Sequence, residues 1–256
     1  MDVTTLQKCF RRAAATYDAQ AQVQKTVAAH LWHMIADHIQ PGVRLLEIGA
    51  GTGMLTRHLF AAQPSTLTLN DVYLSPQLTR YLHGLPHGIV FLEGDAMVVD
   101  WGAPYDAIVS ASTFQWFSDL DSLFARCAHY MRPGGMLAFS SFLPGTLGEL
   151  TRLTGVGLHY ANAQELRYRL SPLFDILTLE ESSIVLHFAT PRDVLTHLRE
   201  TGVTGCSKPV GWNTRRYAAF VKDYAASYSD EKGMRLTYRP VYVLAQRTAT
   251  MPGKRP

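Results

Sequence analysis

Apolar residues recur at three- and four-residue spacing through Val23, Val27, Leu31, Met34, Ile35 and Ile39, with polar positions between them. That period predicts helix across residues 3–39, ended by Pro41-Gly42. Beyond it the pattern changes to short apolar runs that alternate with amphipathic stretches. "VRLLEIGA", "STLTLND", "GIVFLEGDA", "YDAIVSAST" and "MLAFSSF" read as strands, the last one following an "RPGG" turn. "MLTRHLFAA", "SPQLTRYLHGL" and "LDSLFARCAHYM" read as the helices between them. Strands apolar on both faces and separated by helices predict an α/β fold, a mostly parallel sheet covered on both sides.

The regular alternation stops near residue 142. "LGELTRLTGVGLHYANAQELRYRLSPLFD" reads as helical with an internal turn, and "ILTLEESSIVLHFATP" as a strand pair or a bent strand. "RDVLTHLRETGVTG" reads as a helix stopped by glycine and "RLTYRPVYVLAQRT" as closing strands, with "MPGKRP" as a disordered tail. The expected division is a helical cover (1–40), a ligand-binding core (41–142), a cap that recognises substrate (143–235), closing strands of the core sheet (236–250) and a tail (251–256).

Composition narrows the class. Of 256 residues, 47% are hydrophobic and 18% charged, which supports a substantial core. A net charge of +3 is too small to indicate a nucleic-acid partner. Cys9, Cys127 and Cys206 form no CxxC pair, so neither a disulfide framework nor a zinc site is expected. No window reaches the roughly 18 continuous apolar residues of a membrane helix. The expectation is a soluble cytoplasmic monomer with no membrane association. His30, His33, His38, His58, His83 and His87 are scattered and form no metal-ligand set, so no metal is expected.

The chemistry concentrates in "LLEIGAGTGMLTRHLF". Gly49, Gly51 and Gly53 stand where an apolar strand must reverse into a helix. Glycine permits positive φ and close approach of a ligand, and the helix start offers unpaired N–H groups. A dinucleotide fingerprint requires a third glycine at 54 or 56, where Met54 and Thr56 stand. No Gly-Lys-Ser/Thr follows, which removes a phosphate-binding P-loop. What remains is E-x-G-x-G-x-G, beginning at Glu47.

This pattern resembles the first motif of class I S-adenosylmethionine-dependent methyltransferases, and the succeeding motifs follow in that family's order over residues 43–142. The resemblance implies a Rossmann-like seven-stranded sheet, a helical cap after strand five, and S-adenosylmethionine as cofactor. Glu47 would orient the methionine amino group or its loop, and the three glycines would pass beside the aminocarboxypropyl arm. Asp71 would accept from the ribose hydroxyls, with neighbouring Asn70 the other choice. Asp95 and Ala96 would meet the adenine, and Ser110 lies on the matching fourth strand.

The flanking segments resemble the malonyl-carrier-protein O-methyltransferases of biotin synthesis. They are "CFRRAAATYDAQAQVQ", "FQWFSDLDSLF", "FLPGTLGELTRLTGVGLHY", "HLRETGVTG" and "RLTYRPVYVLAQR". The resemblance implies methylation of a malonyl carboxylate, and a carboxylate needs no general base to become a nucleophile. Such a site wants hydrogen-bond donors or one cation, aromatic walls and a lid. Tyr17, Gln115, Trp116, Tyr160, Arg167 and Trp212 are candidates by type and place. Tyr17 either roofs the site or packs a helix; Trp116 is a pocket wall or a loop hydrophobe. Arg167, with Arg169 and Tyr168, is a carboxylate anchor, a carrier contact or a solvated face. An acidic acyl carrier protein as partner would be steered by Arg192, Arg199, Lys208, Arg215, Arg216 and Lys222. Rival readings are a methyltransferase for another small acid, amine or phenol, and a catalytically silent methyltransferase-like partner protein.

Overall fold

The computed structural model describes residues 3–83, 88–102, 104–202 and 211–249. His87, Cys206, Lys208 and the expected tail 251–256 lie outside the described residues. Seven strands form the main sheet: β1 (Arg44–Ile48), β2 (Thr66–Asp71), β3 (Ile89–Glu93), β4 (Tyr105–Ser110), β5 (Met131–Phe142), β6 (Phe174–Glu181) and β10 (Pro240–Arg247), in the order β3-β2-β1-β4-β5-β10-β6. β10 runs opposite to the other six, antiparallel to both β5 and β6. Alternate residues of the central strands feed two cores. Leu45, Val109 and Ala138 face one side with α2 (Gln22–Ile35), while Leu46, Ile108, Leu137 and Phe139 face the other with α5 (Leu120–His129). The strand order reverses between β1 and β4, and in open α/β sheets such a reversal leaves a crevice at the strands' carboxyl ends.

Short helices follow the first strands. α3 (Thr56–Ala61) follows the glycine turn, and α4 (Pro76–Leu82) starts at Ser75, whose side chain accepts from the Leu78 N–H. The predicted N-terminal helix is two: α1 (Val3–Gln20) and α2 meet at Ala21, and α2 runs into a 3-10 turn at Ala36–His38. Leu31 and its helical neighbours bury against the sheet, whereas α1 lies over the strand ends. There Leu6 and Cys9 pack with Phe10 and Trp116 apart from the two main cores.

Several elements differ from the expected ones, because long-range pairing and packing decide them. The "RPGG" segment belongs to β5, with an irregularity in register opposite Tyr105–Ala107 in place of a turn. β6 and β7 (Ile184–Phe188) do not pair. β7 joins β9 (Gly233–Tyr238) and the short β8 (Ser229–Asp230) in a separate antiparallel sheet, so β10 with β6 closes the main sheet and β9 does not. α7 (Ala163–Leu170) buries Leu166 and Leu170 against the main sheet beside α5 and β6, which makes it a core helix and not a cap helix. The additions to the core are therefore two. One is 143–162, holding α6 (Gly148–Thr154). The other is 182–239, holding α8 (Pro191–Glu200) and α9 (Thr214–Tyr228), the latter a helix the sequence reading did not assign.

Candidate active site

The strand-to-helix turn after β1 is shaped by where each glycine has room. Gly49 has φ +76°, and a Cβ there would fall 2.1 Å from Thr113 Oγ1, so the loop after β4 can approach only because the side chain is missing. Gly51 has φ +55° and no neighbour nearer than 4.0 Å, leaving its outer face open. Its N–H donates to Asp71 Oδ2 at 2.8 Å. Gly53 faces Leu78 and not the open side.

Above this turn is a cavity of about 210 Å³. Its floor and walls come from Gly49, Gly51, Asp71, Asp95 and Ala96, its roof from α1 through Leu6, Phe10, Ala14 and Tyr17, and its far end from Trp116. α1 is tied down at Gln7, whose Nε2 donates to Val72 O at 2.9 Å, and at Ala14, whose carbonyl accepts from Gln77 Nε2. Asn70 directs its amide to Leu92 O at 2.8 Å and Gly94 O at 3.1 Å, joining β2 to β3. Asp71 supplies the carboxylate at the cavity wall, accepting from Gly51 N–H at 2.8 Å and Tyr73 N–H at 3.1 Å. Burial pushes its pKa up to about 6; the Gly51, Tyr73 and Val72 N–H groups pull it down, and the charge of Glu93 adds to the rise. It is ionised at neutral pH. Asp95 folds its Oδ1 onto the Met97 N–H at 2.8 Å, with Ala96 buried beside it.

Two predicted residues lie beneath the cavity instead of in its wall. Ser110 is fully buried and donates to Ile48 O at 2.8 Å, joining β4 to β1. Glu47 is 1% exposed and accepts from Thr56 Oγ1 at 2.6 Å, which anchors the start of α3. Burial raises the Glu47 pKa to about 8, against the opposing hydrogen bond from Thr56, and the charge of Asp71 adds to the rise. A carboxyl raised in the folded state contributes stability that is complete below its unfolded value and lost as pH rises through the folded one. Glu47→Gln keeps the acceptor for Thr56 without the ionisation. Its thermal midpoint is expected to fall less between pH 6 and 9 than that of the unsubstituted protein. Parallel pH dependences in scanning calorimetry would show that Glu47 does not titrate there.

Residues missed by sequence reasoning complete the wall. Thr52 Oγ1 and Ser112 Oγ are buried without a hydrogen-bond partner and both line the cavity. A buried unpaired hydroxyl costs about 1–3 kcal/mol, so each is available to a polar atom that enters the cavity. Their signal in sequence was only position, in the glycine turn and at the tip of β4. A ligand with a sugar diol, a polar chain end and a flat apolar ring fits this set. Asp71 could accept from such a diol, Gly51, Thr52 and Ser112 could meet the polar chain, and Ala96 and Met97 could flank the ring.

A second, smaller cavity of about 40 Å³ adjoins the first and shares Phe10, Tyr17, Ser112 and Trp116 with it. Gln24, Gln115, Tyr160 and Tyr238 are among its other walls. Tyr17, Gln115, Trp116 and Tyr160 are thus brought together, and no charged side chain lines this cavity among the described residues. Gln115 Nε2 donates to Ser112 O at 2.6 Å, and Gln24 Oε1 is buried without a partner. Burial raises the pKa of Tyr17 and of Tyr160, for Tyr17 with help from the charges of Asp71 and Asp18, so both phenols keep their protons. Arg167 is not in this group. It is exposed on α7, while Arg169 turns toward α5 and pairs with Asp121 at 2.5 Å. Trp212 is 41% exposed beside Tyr217 and Phe220 near the start of α9 and lines neither of these two cavities.

Known proteins resemble this chain in sequence and in fold. Residues 46–137 match the family model described as a methyltransferase domain. A malonyl-[acyl-carrier protein] O-methyltransferase from Bacteroides helcogenes is 37% identical over 96% of this chain and 99% of its own. Its namesake from Chlorobium phaeovibrioides is 37% identical over 93% and 94%. Among solved structures, a Bacillus halodurans protein assigned to the methyltransferases superposes with TM-score 0.64 over 87% of this chain and 99% of its own, at 12% identity. The N-methyltransferase NodS from Bradyrhizobium japonicum, bound to S-adenosyl-L-homocysteine, gives TM-score 0.55 over 94% and 97%, at 14% identity. The structural likenesses establish a shared fold. The sequence likeness runs nearly end to end, and the chain belongs to the malonyl-[acyl-carrier protein] O-methyltransferase family of class I methyltransferases.

Proposed function

We propose that this chain transfers the methyl group of S-adenosylmethionine to the free carboxylate of a malonyl thioester carried on acyl carrier protein, forming the methyl ester. The observation that carries this reading is the small uncharged cavity opening beside the larger one at Ser112 and Trp116. When bound, the cofactor supplies an electrophilic methyl group on a positively charged sulfur. The larger cavity fits its parts, with Asp71 toward the ribose, Asp95 and Ala96 toward the adenine and the glycine turn toward the aminocarboxypropyl arm.

The residues of the second cavity position the acceptor and exclude water. Reaction joins an anion to a cationic centre and leaves two neutral products, so charge disappears on the way to the transition state. A guanidinium beside the carboxylate would hold the reactant more tightly than the transition state and slow the step. Neutral donors from Tyr17, Gln115 and Tyr160 orient the carboxylate without that penalty. The aromatic walls of Phe10, Trp116 and Phe142 keep the nucleophile poorly hydrated. A malonyl carboxylate is ionised at neutral pH, so no side chain has to remove a proton.

In this reading α1 and the start of α2 cover the cofactor, and the segments 143–162 and 182–239 recognise the acceptor. The carrier protein is acidic. Arg192 and Arg199 are exposed on α8 and Arg215, Arg216 and Lys222 on α9, and these two helices touch. Arg216 also reaches the Thr154 carbonyl at 3.1 Å, so it is partly engaged in the fold. The methyl ester would hide the terminal charge, letting chain-elongating enzymes extend the product as an ordinary primer toward pimeloyl and then biotin. Mass spectrometry of malonyl-carrier protein incubated with cofactor and enzyme is expected to show one added methyl, located on the malonyl group and released as methanol by alkali. An unchanged mass would refute the assignment.

A further inference from the structure

We infer that Tyr238, held by His197, is the group that reads the acceptor's carboxylate in the second cavity; this rests on the malonyl-carboxylate reading above. Tyr238 ends β9 and lines that cavity. Its ring is 2% exposed, fixed between Phe142 at 6.0 Å and the edge-on imidazole of His197 at 6.3 Å. The phenol oxygen is 3.0 Å from His197 Nε2. His197 lies on the buried side of α8, 5% exposed, with Phe188 against its ring at 5.1 Å. Burial raises the Tyr238 pKa, and the phenols of Tyr160, Tyr17 and Tyr224 and the carboxylate of Glu149, which accepts from Thr237, add to the rise, so the phenol keeps its proton.

A phenol has one proton, and the tautomer of His197 decides where it points. With the imidazole proton on Nδ1, Nε2 accepts from Tyr238 and the hydroxyl is turned away from an acceptor. With the proton on Nε2, the imidazole donates to the phenol oxygen and the Tyr238 O–H is free to donate into the cavity. Burial holds His197 neutral, its pKa lowered to about 4, so one of these two tautomers is always present. A carboxylate in the cavity selects the second, because a hydrogen bond to an ion is about twice as strong as one between neutral groups. The methyl ester offers no such charge, so the product is held less firmly than the acceptor. Tyr238 is therefore a substrate-reading residue and His197 its positioning residue. Together they give selectivity for an anion where a fixed cation would slow the chemistry.

The test uses the full chain with S-adenosylmethionine and malonyl-coenzyme A as the acceptor, comparing Tyr238→Phe, His197→Leu, the double variant and His197→Gln. Loss of one hydrogen bond to a charged group predicts a fall in kcat/KM of about 10- to 100-fold in Tyr238→Phe, carried mainly by KM. Cofactor affinity by calorimetry is expected to stay unchanged. His197→Leu should give a similar loss, the double variant no further loss, and His197→Gln, which retains a side-chain donor, recovery of most of the activity. Inhibition by the methyl ester of malonyl-coenzyme A should be the same in Tyr238→Phe as in the unsubstituted enzyme. Multiplying losses in the double variant, equal weakening of acceptor and ester, or full activity in Tyr238→Phe would each overturn the assignment. If the leucine variant melts early, His197→Gln decides the point, since an inactive but normally folded glutamine variant contradicts the donor role. Absence of transfer by the unsubstituted enzyme to any malonyl thioester would overturn the acceptor reading itself, and the assignment with it.

Discussion

Gly49→Ala is expected to lower stability by about 2–5 kcal/mol and to remove cofactor binding. Two costs add. A residue with a Cβ at φ +76° pays about 1–2 kcal/mol for the left-handed conformation. The new methyl would also fall 2.1 Å from Thr113 Oγ1 and 2.7 Å from its Cβ, and forcing atoms into a packed site costs about 1–3 kcal/mol more. Thr113 is branched at Cβ and cannot swing clear. The loop after β4 would have to move, taking Ser112 and Trp116 from the junction of the two cavities. Gly51→Ala is the control: at φ +55° it carries the same backbone cost of about 1–2 kcal/mol, but its Cβ meets nothing nearer than 4.0 Å, so it should lose less stability than Gly49→Ala while its methyl intrudes on the ligand. Urea unfolding of both variants checks this, and an unchanged midpoint for Gly49→Ala would show that Thr113 is not packed on the turn as described.

Asp71→Ala is expected to weaken S-adenosylmethionine binding about 100-fold or more. Charge-assisted hydrogen bonds contribute about 1.5–3 kcal/mol each, and a ribose diol would make two. The acid's environment adds a pH dependence with a definite sign. Binding needs the ionised carboxylate, and its pKa is raised to about 6. Affinity should therefore hold above pH 7 and fall about tenfold per pH unit well below 6. In the ligand-free protein the same raised pKa acts the other way, giving a stability contribution present at low pH and lost as pH rises through about 6. Asp71→Asn should bind weakly and without the acid-side fall. Calorimetric titrations at pH 5 and 7.5 check both statements, and equal affinities at the two values would place the ribose contact elsewhere.

The main sheet was legible because its signals are local. Runs such as "RLLEI" and "YDAIVS" are apolar on both faces only if they are covered on both faces, and the glycine turn marks where a strand ends. The second sheet was not legible, since β7 and β9 are separated by two helices and nothing in "IVLHF" states that its partner is "GMRLTY". The same distance hid Tyr238 and His197, which are 41 positions apart and meet only through that sheet and α8. Arg167 misled for the opposite reason. A helix with alternating arginines following an apparent cap segment reads as cap, but burial of Leu166 and Leu170 turns it onto the core and leaves Arg167 in solvent. In the glycine turn the residue types were legible from sequence, but the division of labour was not. Glu47 and Ser110 brace the strands from below, while Thr52 and Ser112, which carry no motif, face the cavity with free hydroxyls.

The most direct measurement is transfer of labelled methyl from S-adenosylmethionine to malonyl-carrier protein, set beside malonyl-coenzyme A, acetyl-carrier protein and free malonate. Label is expected in the malonyl thioesters as a methyl ester that yields labelled methanol in alkali, faster with the carrier-bound form, and absent from the acetyl thioester. Label in the acetyl carrier, or in no malonyl thioester while the cofactor still binds, would contradict carboxylate methylation.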